Sequence, residues 1–172
     1  IIGKYNRKNV KRIFAQFDIN NFIDYKAKSK ISLKCLKKAN HLVNNTNTSS
    51  DILKWKLPYE FPAEIFYDAI LKRQRKMHVD TSDIFFEDYV AEGLACIEAS
   101  SDIFTKHKFD FVILSHIIDF SYASIAWLAA INKVPTVVIY GDFGASRFIR
   151  ITNKPIVIMI FLKKIIIHLN IF

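Results

Sequence analysis

The segment from residue 109 to residue 140 constrains the fold most strongly, because two short apolar runs flank one helical pattern. Residues 109–114 (FDFVIL) and 136–140 (TVVIY) are rich in strand-forming residues, and residues 119–132 carry alanine and branched side chains at helical spacing. Strands that are apolar on both faces are typical of a parallel sheet covered by helices. A crossover of this length joins parallel strands in a right-handed βαβ unit. The sequence therefore predicts an α/β fold with a Rossmann-like parallel sheet flanked by helices.

Apolar residues at helical spacing predict the other helices. Pro62 suits the first turn of one of them, and Ser82 or Asp83 is expected to cap another. The alternating residues 53–57 (LKWKL) predict a short strand. The predicted helices cover residues 4–16, 28–43, 62–76 and 84–105.

The positive charge of the chain is concentrated near its start. Residues 1–40 contain eleven of the 25 Lys and Arg residues and only two of the 16 acidic residues, so the remaining residues carry no net charge. Two functional interpretations follow, contact of residues 1–40 with an anionic membrane surface or contact with a nucleic acid, and of these two partners the membrane is favoured. The alternative is compositional bias without function, because the chain is rich in the Ile, Lys and Asn of an AT-rich gene.

Three regions follow from this distribution. Residues 1–48 are predicted to be a basic helical arm, and residues 49–155 a Rossmann-like domain. Residues 156–172 are an apolar tail, expected to be a buried strand or a truncated or non-native terminus. The seven apolar residues 156–162 are fewer than the roughly twenty that cross a bilayer.

Two cysteines, Cys35 and Cys96, lie far apart without a C-x-x-C pair or a His/Cys cluster. This pattern predicts reduced, packed thiols in a cytoplasmic protein. With no leader peptide in the sequence we expect a cytoplasmic location, peripheral on the inner membrane if the arm binds lipid. We expect no metal and no cofactor.

The candidate site lies where the two predicted strands end. Ligands of open parallel sheets bind beyond the carboxyl ends of the strands. Ser115, His116 and Asp119 belong to the loop after the first strand, and the segment Gly141–Arg147 follows the second. If the strands are neighbours, both loops open on one edge and bring His116 near the turn at Gly141 and Gly144 and near Arg147.

These residue types suit the binding of a sugar or a phosphate. Imidazole can take a proton from a hydroxyl group, glycines let backbone N–H groups approach an anion, and an arginine can hold phosphate with two hydrogen bonds. The structural alternative is that His116 is a hydrogen-bonded loop residue and Arg147 a surface charge. Asp68 and Lys72 have the spacing of a solvated helical ion pair.

Several catalytic motifs are absent from the sequence. Without G-x-G-x-x-G or G-x-x-x-x-G-K-[ST], a standard dinucleotide-binding domain and a P-loop NTPase are disfavoured. The lack of G-x-S-x-G disfavours an α/β-hydrolase. No D-x-D, the metal–nucleotide signature of the other main glycosyltransferase architecture, is present.

Residues 109–140 resemble a stretch of bacterial surface-carbohydrate, or capsular polysaccharide, biosynthesis proteins. In that family a strand ends in Ser-His, a helix carries an aromatic and small residues, and a second strand ends in a Gly turn before a basic residue. An earlier segment is similar too, in which Tyr-Asp leads to a basic residue and then Val-Asp. The matching residues here are Ser115, His116, Tyr122, Ala129, Gly141, Gly144 and Arg147, and, in the earlier segment, Tyr67-Asp68, Arg73 and Val79-Asp80.

The resemblance implies the N-terminal, acceptor-side part of a GT-B-like glycosyltransferase, an enzyme with two Rossmann-like domains. It implies a carbohydrate or lipid-linked acceptor, with His116 as the catalytic residue and Ser115, Asp119, Gly141, Gly144 and Arg147 binding substrate. Since the donor half is missing from the sequence, we expect the fragment to be inactive alone. The alternatives are a non-catalytic module that binds a membrane or a partner, and a truncated remnant.

Overall fold

The computed structural model describes residues 12, 15–16, 25, 30–142, 145–151 and 158–160. The predicted helix over residues 4–16, except for three of its residues, and most of the apolar tail lie outside the described residues. Between residues 30 and 142 the chain is mainly helical. The four α-helices are α1 (Leu33–Asn44), α2 (Ala63–Gln74), α3 (Phe86–Lys106) and α4 (Phe120–Ile131), and two short 3-10 helices cover Ser49–Lys54 and Pro58–Glu60.

The four helices confirm the predictions from helical spacing, with ends shifted by a few residues. Ser32 caps α1 by accepting a hydrogen bond from the Cys35 N–H at 3.2 Å. The expected cap of α3 is not formed, because its N-cap residue is Phe85 and has no side-chain cap. Asp83 instead accepts the N–H of Phe85 at 2.9 Å, which holds the turn before the helix.

The strand predicted over residues 53–57 is wrong. Residues Ser49–Lys54 form a 3-10 helix, and the N-cap Thr48 donates its N–H and its hydroxyl to the Asp51 carboxylate, both at 2.9 Å. Trp55 packs against the helical core, and its indole N–H donates to Thr46 at 3.1 Å. The segment around Trp55 therefore packs against the helices and does not pair with any of the described strands.

One mixed sheet completes the α/β fold. Its order is β1-β2-β3-β4. The pair β1–β2 is parallel, as the βαβ prediction requires, whereas β2–β3 and β3–β4 are antiparallel. The predicted Rossmann-like parallel sheet is therefore not confirmed, because only two of the described strands run parallel. The last strand comes from the predicted apolar tail. The strands are β1 (Val112–Leu114), β2 (Thr136–Asp142), β3 (Ala145–Ile151) and β4 (Ile158–Ile160).

The main core surrounds α3, the longest helix. Its buried side chains come from all four helices, and they include Cys35 and Ala39 of α1, so the end of the predicted arm belongs to the same core as the rest of the domain. A smaller cluster of Leu114, Ala126 and Val138 joins α4 to the sheet. None of the helices in the described part of the chain is long and apolar enough to cross a membrane.

The expectation that both faces of the first strand are covered is wrong for β1. Leu114 is buried against α4, but Ile113 on the opposite face keeps 62% of its surface exposed. Successive side chains of a strand point to opposite faces, and α4 packs on only one of them. The apolar run FDFVIL therefore marks a strand that is half covered by the described residues.

Both cysteines are free and buried, as the sequence predicts. Cys96 lies in the middle of α3, where burial raises the pKa of its thiol to about 12, and the nearby Glu92 carboxylate adds to the increase. A thiol of this kind stays protonated, and protonated thiols are poor nucleophiles. Cys96 is thus a packing residue.

Candidate functional site

The loop after β1 opens at the carboxyl edge of the parallel pair. Leu114 ends β1 opposite Val138 of β2, and five residues later the chain enters α4 through its N-cap Asp119. Because β1 and β2 run in the same direction, this loop lies on the edge where open parallel sheets bind ligands. Ser115 is exposed and His116 is half-buried there.

The ring of His116 is held from two sides. The hydroxyl of Ser115 lies 3.0 Å from Nδ1, within hydrogen-bond distance. The phenol ring of Tyr122, in the first turn of α4, lies against the imidazole with the two centroids 4.1 Å apart and the planes tilted by 42°. Since the Ser115 contact uses Nδ1, Nε2 is the nitrogen that this arrangement leaves for a ligand.

Asp119 joins the loop to α2 and, through Arg73, indirectly to α3. Its carboxylate lies 3.6 Å from Nη2 of Arg73 and 3.8 Å from Nζ of Lys72, both on the last turn of α2. Arg73 also pairs with Glu92 of α3. These groups are about one-fifth to one-half exposed, so each pair contributes little to stability, but together they fix the entrance of α4 relative to α2 and α3.

The ion pair predicted between Asp68 and Lys72 is replaced by these longer-range contacts. Lys72 and Arg73 extend from the end of α2 towards the N-terminus of α4, where an acidic side chain lies at the positive end of the helix dipole. Helical spacing shows which residues share a face of one helix, but not which charge of another helix comes close. The sequence therefore offered no signal for the contact with Asp119.

The earlier motif, Tyr67-Asp68 to Val79-Asp80, spans the second half of α2 and the turn that follows it. Val79 donates its N–H to the Tyr67 hydroxyl at 3.2 Å. The Gln74 side chain bonds both the N–H and the carbonyl of Asp80 at 2.8 Å. Hydrogen bonds with Lys76 and Ser82 hold the pKa of Asp80 below its usual value. The motif is thus held together by hydrogen bonds between its own residues, and Arg73 lies in its helical part.

Gly141 and Arg147 lie on the antiparallel part of the sheet. Gly141 is paired with Ser146, and Arg147 with Tyr140, so β2 continues past the predicted end at Tyr140 and turns back as β3. Strand pairing, rather than the glycine, decides where β2 ends. Gly144 lies outside the described residues.

The register separates this hairpin from His116. Gly141 is three residues past Val138, the partner of Leu114, and therefore about 10 Å beyond the end of β1 along the sheet. Arg147 lies on β3, which β2 separates from β1. Ser115 and His116 are thus in contact with each other, whereas Asp119 of the same loop pairs with α2. Gly141 and Arg147 lie farther along the sheet on β2 and β3.

The donor set at this edge suits hydrogen bonding more than metal binding. In the described part of the chain there is no group of three or more His, Cys, Asp or Glu residues that could hold a metal ion. The sequence predicts Lys72 only as the ion-pair partner of Asp68 and does not single out Glu92, yet both belong to the charge cluster around Asp119 and Arg73. Comparison with protein-family models, with curated proteins and with solved structures found no match.

Proposed function

We propose that this chain forms the Rossmann-like, acceptor-side part of a GT-B-like glycosyltransferase of bacterial surface or capsular polysaccharide assembly. The observation that carries the proposal is the parallel pairing of β1 with β2. It supports a ligand-binding role for Ser115 and His116, because ligands of open parallel sheets bind beyond the carboxyl ends of the strands. The enzyme works at the cytoplasmic face of the inner membrane on a carbohydrate or lipid-linked acceptor. It requires no cofactor.

The spatial arrangement of the two similar segments supports this proposal. Arg73 belongs to the earlier motif and Asp119 to the segment that follows β1, and their side chains meet. Two stretches that are separate in the sequence therefore contribute to one site. Such convergence is expected when both motifs serve the same ligand, although it also stabilises the packing of α2 against α4.

In the proposed mechanism His116 acts on the acceptor. Nε2 takes the proton from the acceptor hydroxyl as that oxygen attacks the anomeric carbon of a nucleotide sugar carried by the second domain, and the bond from that carbon to the phosphate breaks to release the nucleotide. Ser115 at Nδ1 and the Tyr122 ring hold the imidazole in place. A positioned general base typically contributes 10²–10⁴-fold to the rate. Gly141, Gly144 and Arg147 supply the remaining substrate-binding groups of the proposal, in which the arginine suits the phosphate of a lipid-linked acceptor.

Binding of a soluble acceptor analogue tests the proposal. We expect saturation-transfer NMR to show binding of a short-chain prenyl diphosphate-linked N-acetylglucosamine to the full chain. His116→Ala should weaken this binding roughly tenfold, because the acceptor hydroxyl loses its hydrogen bond to Nε2 and the Tyr122 ring loses the imidazole that it packs against. The matched control is His78→Ala, which removes an exposed histidine from the α2–α3 turn.

Two results would contradict the proposal. One is the lack of any binding by the wild-type chain at millimolar ligand. The other is equal binding by the wild type and His116→Ala, which would make His116 an ordinary loop residue. A thermal melt of each variant shows whether the fold is retained, and we expect both substitutions to leave it intact because neither ring is in the core.

A further inference from the structure

A surface at the start of α1 mixes lysines with large apolar side chains. Leu33 is 77% exposed, Ile31 43% and Leu36 37%. Lysines lie beside them along the same first turns of the helix. We name this surface the α1 patch, and its residues are Lys30, Ile31, Leu33, Lys34, Leu36 and Lys37.

The packing of α1 explains why the patch faces outward. Cys35 and Ala39 are the buried residues of the helix, and they pack into the main core. Lys34 donates to Glu98 of α3 at 2.9 Å. Residues two positions from Cys35 in either direction lie on the opposite side of an α-helix, so Leu33 and Lys37 must point away from the core. Burial of the inner face therefore exposes Leu33.

The charge around the patch has one sign over a long stretch. No acidic residue occurs between Asp24 and Asp51, whereas Lys26 and Lys28 precede Lys30 in the sequence. Within the described part of the chain, Glu98 of α3 pairs with Lys34 of the patch. The patch thus presents a positive potential together with apolar side chains.

From this complementarity we infer that the α1 patch binds the surface of an anionic lipid bilayer. Lysines near such a surface are attracted to acidic headgroups, and apolar side chains beside them enter the boundary between headgroups and acyl chains. Single-stranded nucleic acid would favour arginine and stacking aromatic residues, and the patch has neither. This inference goes beyond the acceptor site and does not depend on it.

Vesicle sedimentation with the full chain tests the inference. We expect binding to phosphatidylcholine vesicles that contain phosphatidylglycerol, and little binding to phosphatidylcholine alone. The double variant Lys30→Gln/Lys37→Gln should weaken binding roughly thirtyfold, since each lysine contributes about fivefold at an anionic surface. Leu33→Asn should weaken it about tenfold, because the side chain no longer enters the bilayer.

Added salt and matched variants separate the contribution of the lysine charges from that of the apolar side chains. Added salt should reduce the binding of the wild type and of Leu33→Asn, but should have less effect on the double lysine variant. The controls are Ile84→Asn, an apolar residue that is 86% exposed outside the patch, and Lys133→Gln after α4; both should bind like the wild type. Equal binding by Leu33→Asn and the wild type, or binding to duplex DNA without binding to vesicles, would overturn the inference.

Discussion

At the scale of single residues, Gly93 decides how closely three helices pack. It lies in α3, opposite the aromatic rings of Phe66 on α2 and Phe120 on α4, which lie 5.0 Å apart by their centroids. A Cβ atom at this position would come within 2.5 Å of the Phe66 ring and 2.7 Å of the Phe120 ring. Both rings are almost completely buried, so neither can move into solvent.

Gly93→Ala is expected to lower the free energy of unfolding by roughly 1–3 kcal/mol, the usual cost of overpacking a core. Helix propensity alone predicts the opposite sign, because alanine is favoured over glycine by about 1 kcal/mol within a helix. Chemical denaturation of the two proteins measures the difference. A more stable Gly93→Ala variant would show that the contact with the rings does not limit the packing.

A second variant, Phe66→Leu, tests whether the Phe66 ring causes the cost of Gly93→Ala. In Phe66→Leu the smaller side chain leaves space at Gly93, so the added methyl group should cost less there than in the wild type. Coupling of this kind is expected between residues in contact. Equal costs in both backgrounds would mean that the Phe66 ring is not what opposes the methyl group.

At the scale of elements, the segment that precedes α2 shows how capping overrides an alternating pattern. The sequence LKWKL alternates as a strand does, but Asp51 accepts two hydrogen bonds from Thr48 and one from Lys54, the last at 3.0 Å. These bonds close the 3-10 helix. They also favour the charged carboxylate, and they hold the pKa of Asp51 at about 2, with Lys54 as the largest cause.

The acid stability of the protein should therefore depend on Asp51. A carboxyl group whose pKa is lower in the folded state stabilises the fold above the unfolded pKa, near 3.8, and the contribution is lost as the pH falls towards 2. We expect NMR titration to show Asp51 ionising near pH 2 in the wild type, and closer to its ordinary value in Lys54→Gln. An Asp51 that titrates near 3.8 in the wild type would contradict the capping interaction.

At the scale of the whole molecule, Tyr25 ties the basic arm to the helical core. Its hydroxyl donates to the Cys96 carbonyl at 2.9 Å and lies 2.9 Å from the Ser100 hydroxyl. Burial raises the pKa of the phenol above its usual value, so it stays neutral. Lys34 in the first turn of α1 pairs with Glu98 on the same part of α3. Tyr25 and the start of α1 are therefore attached to the same segment of α3.

Tyr25→Phe should loosen this attachment. Loss of the hydroxyl removes two hydrogen bonds and leaves Ser100, which is fully buried, without that partner, so we expect unfolding to become easier by roughly 1–3 kcal/mol. Trypsin should also cleave the lysines before α1 faster than in the wild type. The control is Tyr89→Phe, whose half-buried ring lies against Phe85. Equal cleavage of Tyr25→Phe and the wild type would contradict the anchoring role.

The sequence alone determined the elements whose signals are local. Helical spacing predicted α1, α2, α3 and α4 because each helix needs an apolar face to bury. The two apolar runs around α4 predicted a parallel pair, because a crossover of that length returns the chain in the same direction. The loop of Ser115 and His116 followed from that pairing, so this half of the candidate site could be predicted.

Only the tertiary structure decided how these elements meet. The continuation of β2 into a hairpin, the exposure of Ile113 and the contact of Arg73 with Asp119 depend on partners far away in the sequence. A local pattern shows that a residue will be buried or charged, but it does not identify the neighbour, since that is set by the packing of several elements at once. For this reason the sequence identified His116 as a candidate, while the fold supplied the residues that surround it.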